Sequence, residues 1–139
     1  MEPVQQYGHA FVSLAGIVLL WVVMNPLSAV KKAGKGVPSG GAPVADYADP
    51  AYRWYRAYMN LTEILAPFAV AVLAAILTGA NPFWVNVLAS LFLLSRIAVA
   101  VVHVRGIGKA DGGTRSILFT IGWAICGALA IMTVVAVFR

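Results

Sequence analysis

Four long apolar stretches constrain the fold of this chain more strongly than any other feature of its sequence. They cover about residues 8–30, 55–78, 82–104 and 116–138. Each is close to the ~20 residues that a helix needs to cross the hydrocarbon core of a bilayer. The sequence therefore predicts an all-α fold, an integral membrane four-helix bundle with four transmembrane spans. Residues 1–139 are expected to form a single domain, with residues 31–54 as its first loop.

The composition agrees with a membrane protein and excludes an ordinary soluble domain of this length. Hydrophobic residues make up 61% of the 139 residues, and ten Lys and Arg stand against five Asp and Glu. These basic residues are too few and too close to the apolar stretches to bind a nucleic-acid duplex, so the expected partner is the lipid bilayer and not nucleic acid. Cys126, the only cysteine, lies inside an apolar stretch and is interpreted as a packing residue.

The charges of the loops predict how the spans are oriented. The loop over residues 31–54 has three lysines among its first five residues. The third connection, VRGIGKADGGTR, carries two arginines and a lysine against one aspartate, whereas the second connection, TGANP, has no charge. Basic loops tend to stay in the cytoplasm. Loops one and three are therefore predicted to be cytoplasmic, with both termini on the other side. Short loops and richness in Ala, Val and Gly lead us to expect a bacterial inner membrane.

A stripe of polar residues enters the second span. Arg56, Asn60 and Glu63 follow one another at helical spacing and share one face, and Pro67 comes one turn later. Charged groups are costly in lipid, and an apolar pair would hold two helices together with less desolvation. The stripe is therefore interpreted as a ligand site. Pro67 lacks an N–H, so it leaves the carbonyl of Glu63 without its usual helical partner.

Three further polar residues are predicted to lie at a similar depth. Arg96 and His103 are seven residues apart and share a face of the third span, and Arg115 opens the fourth span. With the stripe they would form a pocket with more cationic than anionic charge, in which Glu63 and Arg96 can form a buried ion pair. The alternative is that Glu63 and Arg96 only lock two helices together while Arg115 reaches the lipid headgroups.

The order of these motifs resembles that of a known family, the membrane-associated proteins in eicosanoid and glutathione metabolism (MAPEG). The likeness covers residues 53–139 and rests on RAYMNLTEILAPF, on NPF at 81–83, on SRIAVAVVH and on Arg115 with Ser116. The family includes microsomal glutathione transferases and prostaglandin E synthase. The resemblance implies a homotrimer of four-helix protomers that binds glutathione between protomers, near the cytoplasmic side.

The resemblance also implies roles for individual residues. Arg115 would face the thiol of glutathione and stabilise the thiolate, and His103 is the second candidate catalytic residue. The candidates for binding glutathione are Arg56, Asn60, Glu63, Arg96, Tyr58 and Arg53. Independently of the family, glutathione carries two carboxylates, an ammonium and a thiol, so its site needs several cations and one carboxylate, as the stripe and its neighbours supply. Arg53 has the alternative of a headgroup contact, and Tyr58 that of an interfacial anchor.

The sequence also departs from the family pattern. His103 stands where many members have a tyrosine, and Met59 stands where some have an arginine. A neutral His103 could donate to sulfur or move a proton, or it could be an ordinary interfacial histidine. The third connection is longer than in the family and rich in glycine, which shifts Arg115 relative to the third span and so changes its orientation toward the thiol.

The function expected from the sequence is that of a glutathione-dependent transferase or peroxidase acting on lipophilic electrophiles or lipid hydroperoxides. One alternative is a non-catalytic membrane subunit or anion-binding protein that keeps its polar core for helix packing. Another is a small transporter, although the two halves of the chain show no similarity. No metal site is expected, because His9 and His103 are far apart in sequence and have no carboxylate at ligand spacing.

Overall fold

The structure is a computed structural model that describes residues 2–109 and 113–139. Within these residues the chain forms helices and no strand. The helices are α1 (Glu2–Gln6), α2 (Gly8–Ala33), α3 (Pro50–Leu77), α4 (Pro82–Arg105) and α5 (Thr114–Val137). Each of the last four is long and apolar enough to cross a membrane. The predicted all-α fold with four spans is confirmed, and the chain is an integral membrane protein.

The long helices pack around a central pair. Helices α3 and α4 contact each other and both of the remaining long helices, so α2 and α5 lie against this pair. At its centre, Phe68 of α3 and Phe92 of α4 are fully buried and stack with 3.7 Å between their ring centroids. Large hydrophobic side chains such as Leu19 and Trp123 are exposed on the outside. Such a surface suits lipid, because lipid tails are as apolar as these side chains.

The first loop is shorter than the predicted 31–54. Helix α2 continues to Ala33 and helix α3 begins at Pro50, so the loop covers 34–49. Because residues 31–54 are rich in Gly, Pro and small residues, the sequence predicts that the segment at the start of α3 belongs to the loop. In the structure it is helical because Asp49 caps α3, accepting the backbone N–H of Ala51 at 2.9 Å, and because a proline suits the first helical position. The third connection is described only up to 109 and from 113, so Gly112 lies outside the described residues.

Asp49 ties the first loop to the start of α3. Its carboxylate also forms an ion pair with Lys35 of the loop, with 3.3 Å between Nζ and Oδ2. The hydrogen bond from the Ala51 N–H, followed by the Lys35 ammonium, holds the pKa of the Asp49 carboxyl below its usual range. A lowered pKa in the folded state means that this carboxylate contributes stability above the ordinary pKa of about 4 and loses that contribution as the pH falls.

Replacing Asp49 with alanine is expected to lower the melting temperature by a few degrees at neutral pH, because α3 loses its N-cap. The difference from the wild type should shrink as the pH falls below about 4, where the wild-type carboxylate becomes protonated. Thermal unfolding in detergent, followed by tryptophan fluorescence, measures both effects. Asp46→Ala is the control, since Asp46 lies in the same loop but caps no helix. An equal loss in both variants would argue against the capping role.

Candidate functional site

Five of the residues predicted for the site line one cavity between α3, α4, α5 and the first loop. The cavity has a volume of about 310 Å³. It is lined by Tyr47, Arg56, Asn60, Glu63, His103, Arg115, Ser116, Phe119 and Thr120. The polar stripe forms the wall on α3, while the other two predicted residues come from the end of α4 and the start of α5. The bundle thus brings together three segments that are far apart in the sequence.

The two candidate catalytic side chains are buried and incompletely hydrogen bonded. Arg115 is 5% exposed and His103 is 4% exposed. In the part of the chain that the structure describes, Nε and Nη1 of Arg115 and Nδ1 of His103 have no hydrogen-bond partner. Nη2 of Arg115 lies 3.5 Å from the carbonyl oxygen of Gly108, which is a weak contact. Buried donors without partners are destabilising, so this corner of the cavity is suited to an acceptor or an anion.

The stripe forms an ion pair within α3. Nη1 of Arg56 lies 3.4 Å from Oε1 of Glu63, and both side chains are partly exposed. The buried ion pair that Glu63 and Arg96 could have formed does not occur among the described residues. Glu63 and Arg96 lie at similar depths in the membrane, which favours a contact between them. Arg56, however, lies on the same face of α3 as Glu63 and forms the ion pair with it. Because this ion pair is weak and partly exposed, each of its two side chains can leave the other and bind a charged group of a ligand.

Arg96 lies beneath the cavity and orients Asn60. Its guanidinium is fully buried and donates to Oδ1 of Asn60 at 3.2 Å and to the carbonyl oxygen of Leu118 at 2.6 Å. Gly122 of α5 makes room for it, since a Cβ at this position would lie 2.5 Å from Nη2. The amide oxygen of Asn60 accepts the hydrogen bond from Arg96, whereas its amide NH₂ can donate to a ligand in the cavity.

Arg53 and Tyr58 do not line the cavity. Arg53 donates to the carbonyl oxygens of Tyr47 at 2.9 Å and Val104 at 3.2 Å, and thereby fastens the first loop to the end of α4. Tyr58 packs against Trp21 of α2, with 6.0 Å between the ring centroids, and so faces away from α5. Within one protomer, neither side chain is brought to the other predicted site residues.

Tyr47 lines the cavity although no pattern in the sequence marks it. Its ring lies 4.0 Å from the guanidinium carbon of Arg115 and stacks on the imidazole of His103, with 6.0 Å between the ring centroids. In the sequence it stands between two aspartates in a loop segment, ADYADP, where it has no helical spacing to the stripe. Tyr47 lies in the site only because the first loop folds back over the bundle.

An apolar groove adjoins the cavity. It runs between α3 and α5, with Pro67 on one side and Trp123 on the other, and has a volume of about 790 Å³. Cys126 lies in its wall and packs against the buried core. Glu63 and Phe119 line both the groove and the polar cavity. A polar ligand and a lipophilic one could therefore lie next to each other.

The comparison with family models agrees with this arrangement. A model described as the MAPEG family matches residues 9–135. The chain belongs to the MAPEG family. The match includes α2, which the motif resemblance over residues 53–139 did not cover. No curated protein and no solved structure matched the chain. MAPEG members generally use glutathione and include transferases and peroxidases as well as non-catalytic proteins.

Proposed function

We propose that this MAPEG protein is a glutathione-dependent membrane transferase or peroxidase, which binds glutathione in the cavity and activates its thiol. The observation that carries the proposal is the buried guanidinium of Arg115, two of whose nitrogen atoms, Nε and Nη1, have no partner among the described residues. A buried cation needs an anionic or hydrogen-bonding partner. The thiolate of glutathione would be that partner, beside a stripe that suits the rest of the tripeptide.

The cavity offers complementary groups for the peptide part of glutathione. Arg56 can pair with a carboxylate, Glu63 can accept from the ammonium, and the amide NH₂ of Asn60 can donate to a carbonyl or carboxylate oxygen. Arg96 holds Asn60 in place through the hydrogen bond that it donates to the amide oxygen. These groups hold and orient the ligand, and none of them reacts.

Arg115 would lower the pKa of the bound thiol. A guanidinium ~4 Å from sulfur, at an effective dielectric of ~20, favours the thiolate by ~4 kcal/mol before desolvation is subtracted. Even half of this value, at ~1.4 kcal/mol for each pKa unit, moves a thiol from ~8.5 to about neutral. The thiolate is the nucleophile in thiol chemistry. His103, beside Arg115, can accept the thiol proton or donate a hydrogen bond to the sulfur.

The apolar groove would admit the second substrate from the bilayer. Sulfur would attack an electrophilic carbon and displace a leaving group or add to a double bond, which is conjugation. With a lipid hydroperoxide, sulfur would take the terminal oxygen and release the alcohol, and a second glutathione would convert the sulfenic acid into disulfide and water. The groove shares Glu63 and Phe119 with the cavity, which supports an encounter of the two substrates there.

The assembly and location that we propose follow the family and the loop charges. MAPEG proteins are generally trimeric, so we propose a homotrimer in which a neighbouring protomer borders the groove between α3 and α5. The single-domain organisation and the bacterial inner membrane, with loops one and three in the cytoplasm, stay predictions.

A titration with glutathione tests the proposed function. Adding glutathione to purified protein in detergent is expected to produce the ultraviolet absorbance of a thiolate at neutral pH. S-methylglutathione is the control ligand, because it keeps the peptide but cannot ionise at sulfur. Turnover is measured with chlorodinitrobenzene and with cumene hydroperoxide. Absence of binding at millimolar glutathione would contradict the proposal, and binding without thiolate or turnover would favour the anion-binding alternative.

A further inference from the structure

The first loop contacts the site through Tyr47, which the proposed chemistry does not use. We propose that Tyr47 is a positioning residue of the thiolate site: its ring fixes the guanidinium of Arg115 so that the free N–H groups face the cavity. This role rests on the proposed function. It is argued from the contacts of Tyr47 with Arg115 and His103 and from the way in which Arg53 holds the loop.

The contact between Tyr47 and Arg115 leaves the donors of the arginine free. The guanidinium carbon lies 4.0 Å from the ring centroid, and this distance is typical of a cation against an aromatic face. A guanidinium meets such a ring through its charge and its flat face, whereas its N–H groups point outward in its own plane. Nε and Nη1 accordingly keep no partner among the described residues. The ring can therefore orient the cation without occupying the groups that would bind sulfur.

Hydrogen bonds do little to orient the buried guanidinium in the described structure. Its one hydrogen bond there is the 3.5 Å contact from Nη2 to the carbonyl oxygen of Gly108. An arginine side chain has many rotamers, and a long side chain that is not ordered loses much of its directed electrostatic effect. The face of the Tyr47 ring therefore restricts the orientation of the Arg115 guanidinium. The same ring stacks on His103, with 29° between the ring planes, so that it contacts both candidate catalytic side chains.

The position of Tyr47 is itself determined by Arg53. Nη1 of Arg53 donates to the carbonyl oxygens of Tyr47 and Ala48, both at 2.9 Å, and Nε donates to that of Val104 at 3.2 Å. Gly106 lets this side chain pass, since a Cβ there would lie 3.1 Å from Cδ of Arg53. Arg53 therefore acts on the site through the loop backbone, although it lies outside the cavity.

Replacing Tyr47 with leucine tests the positioning role. At saturating glutathione we expect about a tenfold loss of thiolate absorbance and of kcat. The KM for glutathione should change much less than kcat, because the stripe that binds the peptide belongs to α3 and not to the loop. Tyr47→Phe is expected to recover most of the loss, since the cation contacts the ring and not the hydroxyl. Arg53→Met should reproduce part of the effect of Tyr47→Leu.

Tyr55→Leu is the matched control. The ring of Tyr55 also lies near a cation, 5.3 Å from Nζ of Lys32, but this contact is outside the cavity. Thiolate absorbance and kcat should therefore stay at the wild-type level. Wild-type thiolate in Tyr47→Leu, an equal loss in Tyr55→Leu, or a failure of Tyr47→Phe to recover the loss would each overturn the positioning role.

A second measurement does not depend on glutathione, so it separates this inference from the proposed function. In the wild type, the Nε–H resonance of Arg115 should carry a ring-current shift in the nuclear magnetic resonance spectrum, because Tyr47 lies against the guanidinium. The resonance is assigned by its loss in Arg115→Lys. The shift should disappear in Tyr47→Leu and persist in Tyr47→Phe. A shift that is unchanged in Tyr47→Leu overturns the inference, whereas a failure to bind glutathione with a normal shift overturns only the proposed function.

Discussion

Arg115→Leu is expected to lower kcat/KM for glutathione conjugation by about 10³-fold. The variant removes the cation that would stabilise the thiolate, while leucine fills a similar buried volume. Binding of the peptide part should weaken much less than turnover, since Arg56, Asn60 and Glu63 remain. Stopped-flow measurement of thiolate absorbance, together with steady-state kinetics, separates the two effects. Arg115→Lys should recover only part of the activity, because an ammonium cannot present two N–H groups in a fixed plane.

The control for Arg115→Leu is Arg105→Leu. Arg105 also carries a positive charge near the third connection, but it lies outside the cavity. The two variants change the net charge equally, so a difference between their activities must come from a specific role of Arg115 in the site.

The stability of Arg115→Leu gives a further test of the role of Arg115. Because Arg115 is buried and its Nε and Nη1 have no partner among the residues that the structure describes, its replacement by leucine should keep or raise the melting temperature. A large fall in melting temperature with normal thiolate formation would contradict the role assigned to Arg115.

Gly122→Ala is expected to lower the free energy of unfolding by about 2 kcal/mol. A Cβ at this position would lie 2.5 Å from Nη2 of Arg96 and 2.7 Å from its guanidinium carbon. Arg96 is fully buried, so it cannot move aside into solvent. Its displacement would weaken the hydrogen bonds to Asn60 and to the carbonyl of Leu118. Activity should fall as well, because Asn60 loses the bond that orients its amide.

Gly127→Ala provides the matched control for Gly122→Ala. Both glycines lie in α5, and a Cβ at Gly127 would have nothing within 4 Å in the protomer. Each substitution brings the same gain in helix propensity, so the difference between them isolates the contact with Arg96. Denaturation in mixed micelles measures the free energies of unfolding. Equal stability of the two variants would show that the guanidinium of Arg96 is free to shift.

Much of the fold could be predicted from local patterns. Each apolar stretch is long enough to span a bilayer by itself, and the membrane requires every backbone group in it to be paired, so α2 to α5 did not depend on tertiary information. The helical spacing of Arg56, Asn60 and Glu63 likewise predicted a shared polar face. The start of α3 was misplaced because Asp49 and Pro50 fix it through capping, which hydropathy does not detect.

The sequence by itself determined the four spans, the polar stripe and membership of the MAPEG family, because each rests on spacing within a short segment or on motifs in a fixed order. Tertiary structure decided which side chains meet. It paired Glu63 with Arg56 instead of Arg96, and it placed Tyr47 against Arg115. Arg56 and Glu63 share one face of α3, but only the packing of the helices decides that Arg96 turns away from Glu63. The contact of Tyr47 depends on how the first loop closes over the bundle. Both outcomes arise from the packing of whole segments, which no periodicity within one helix encodes.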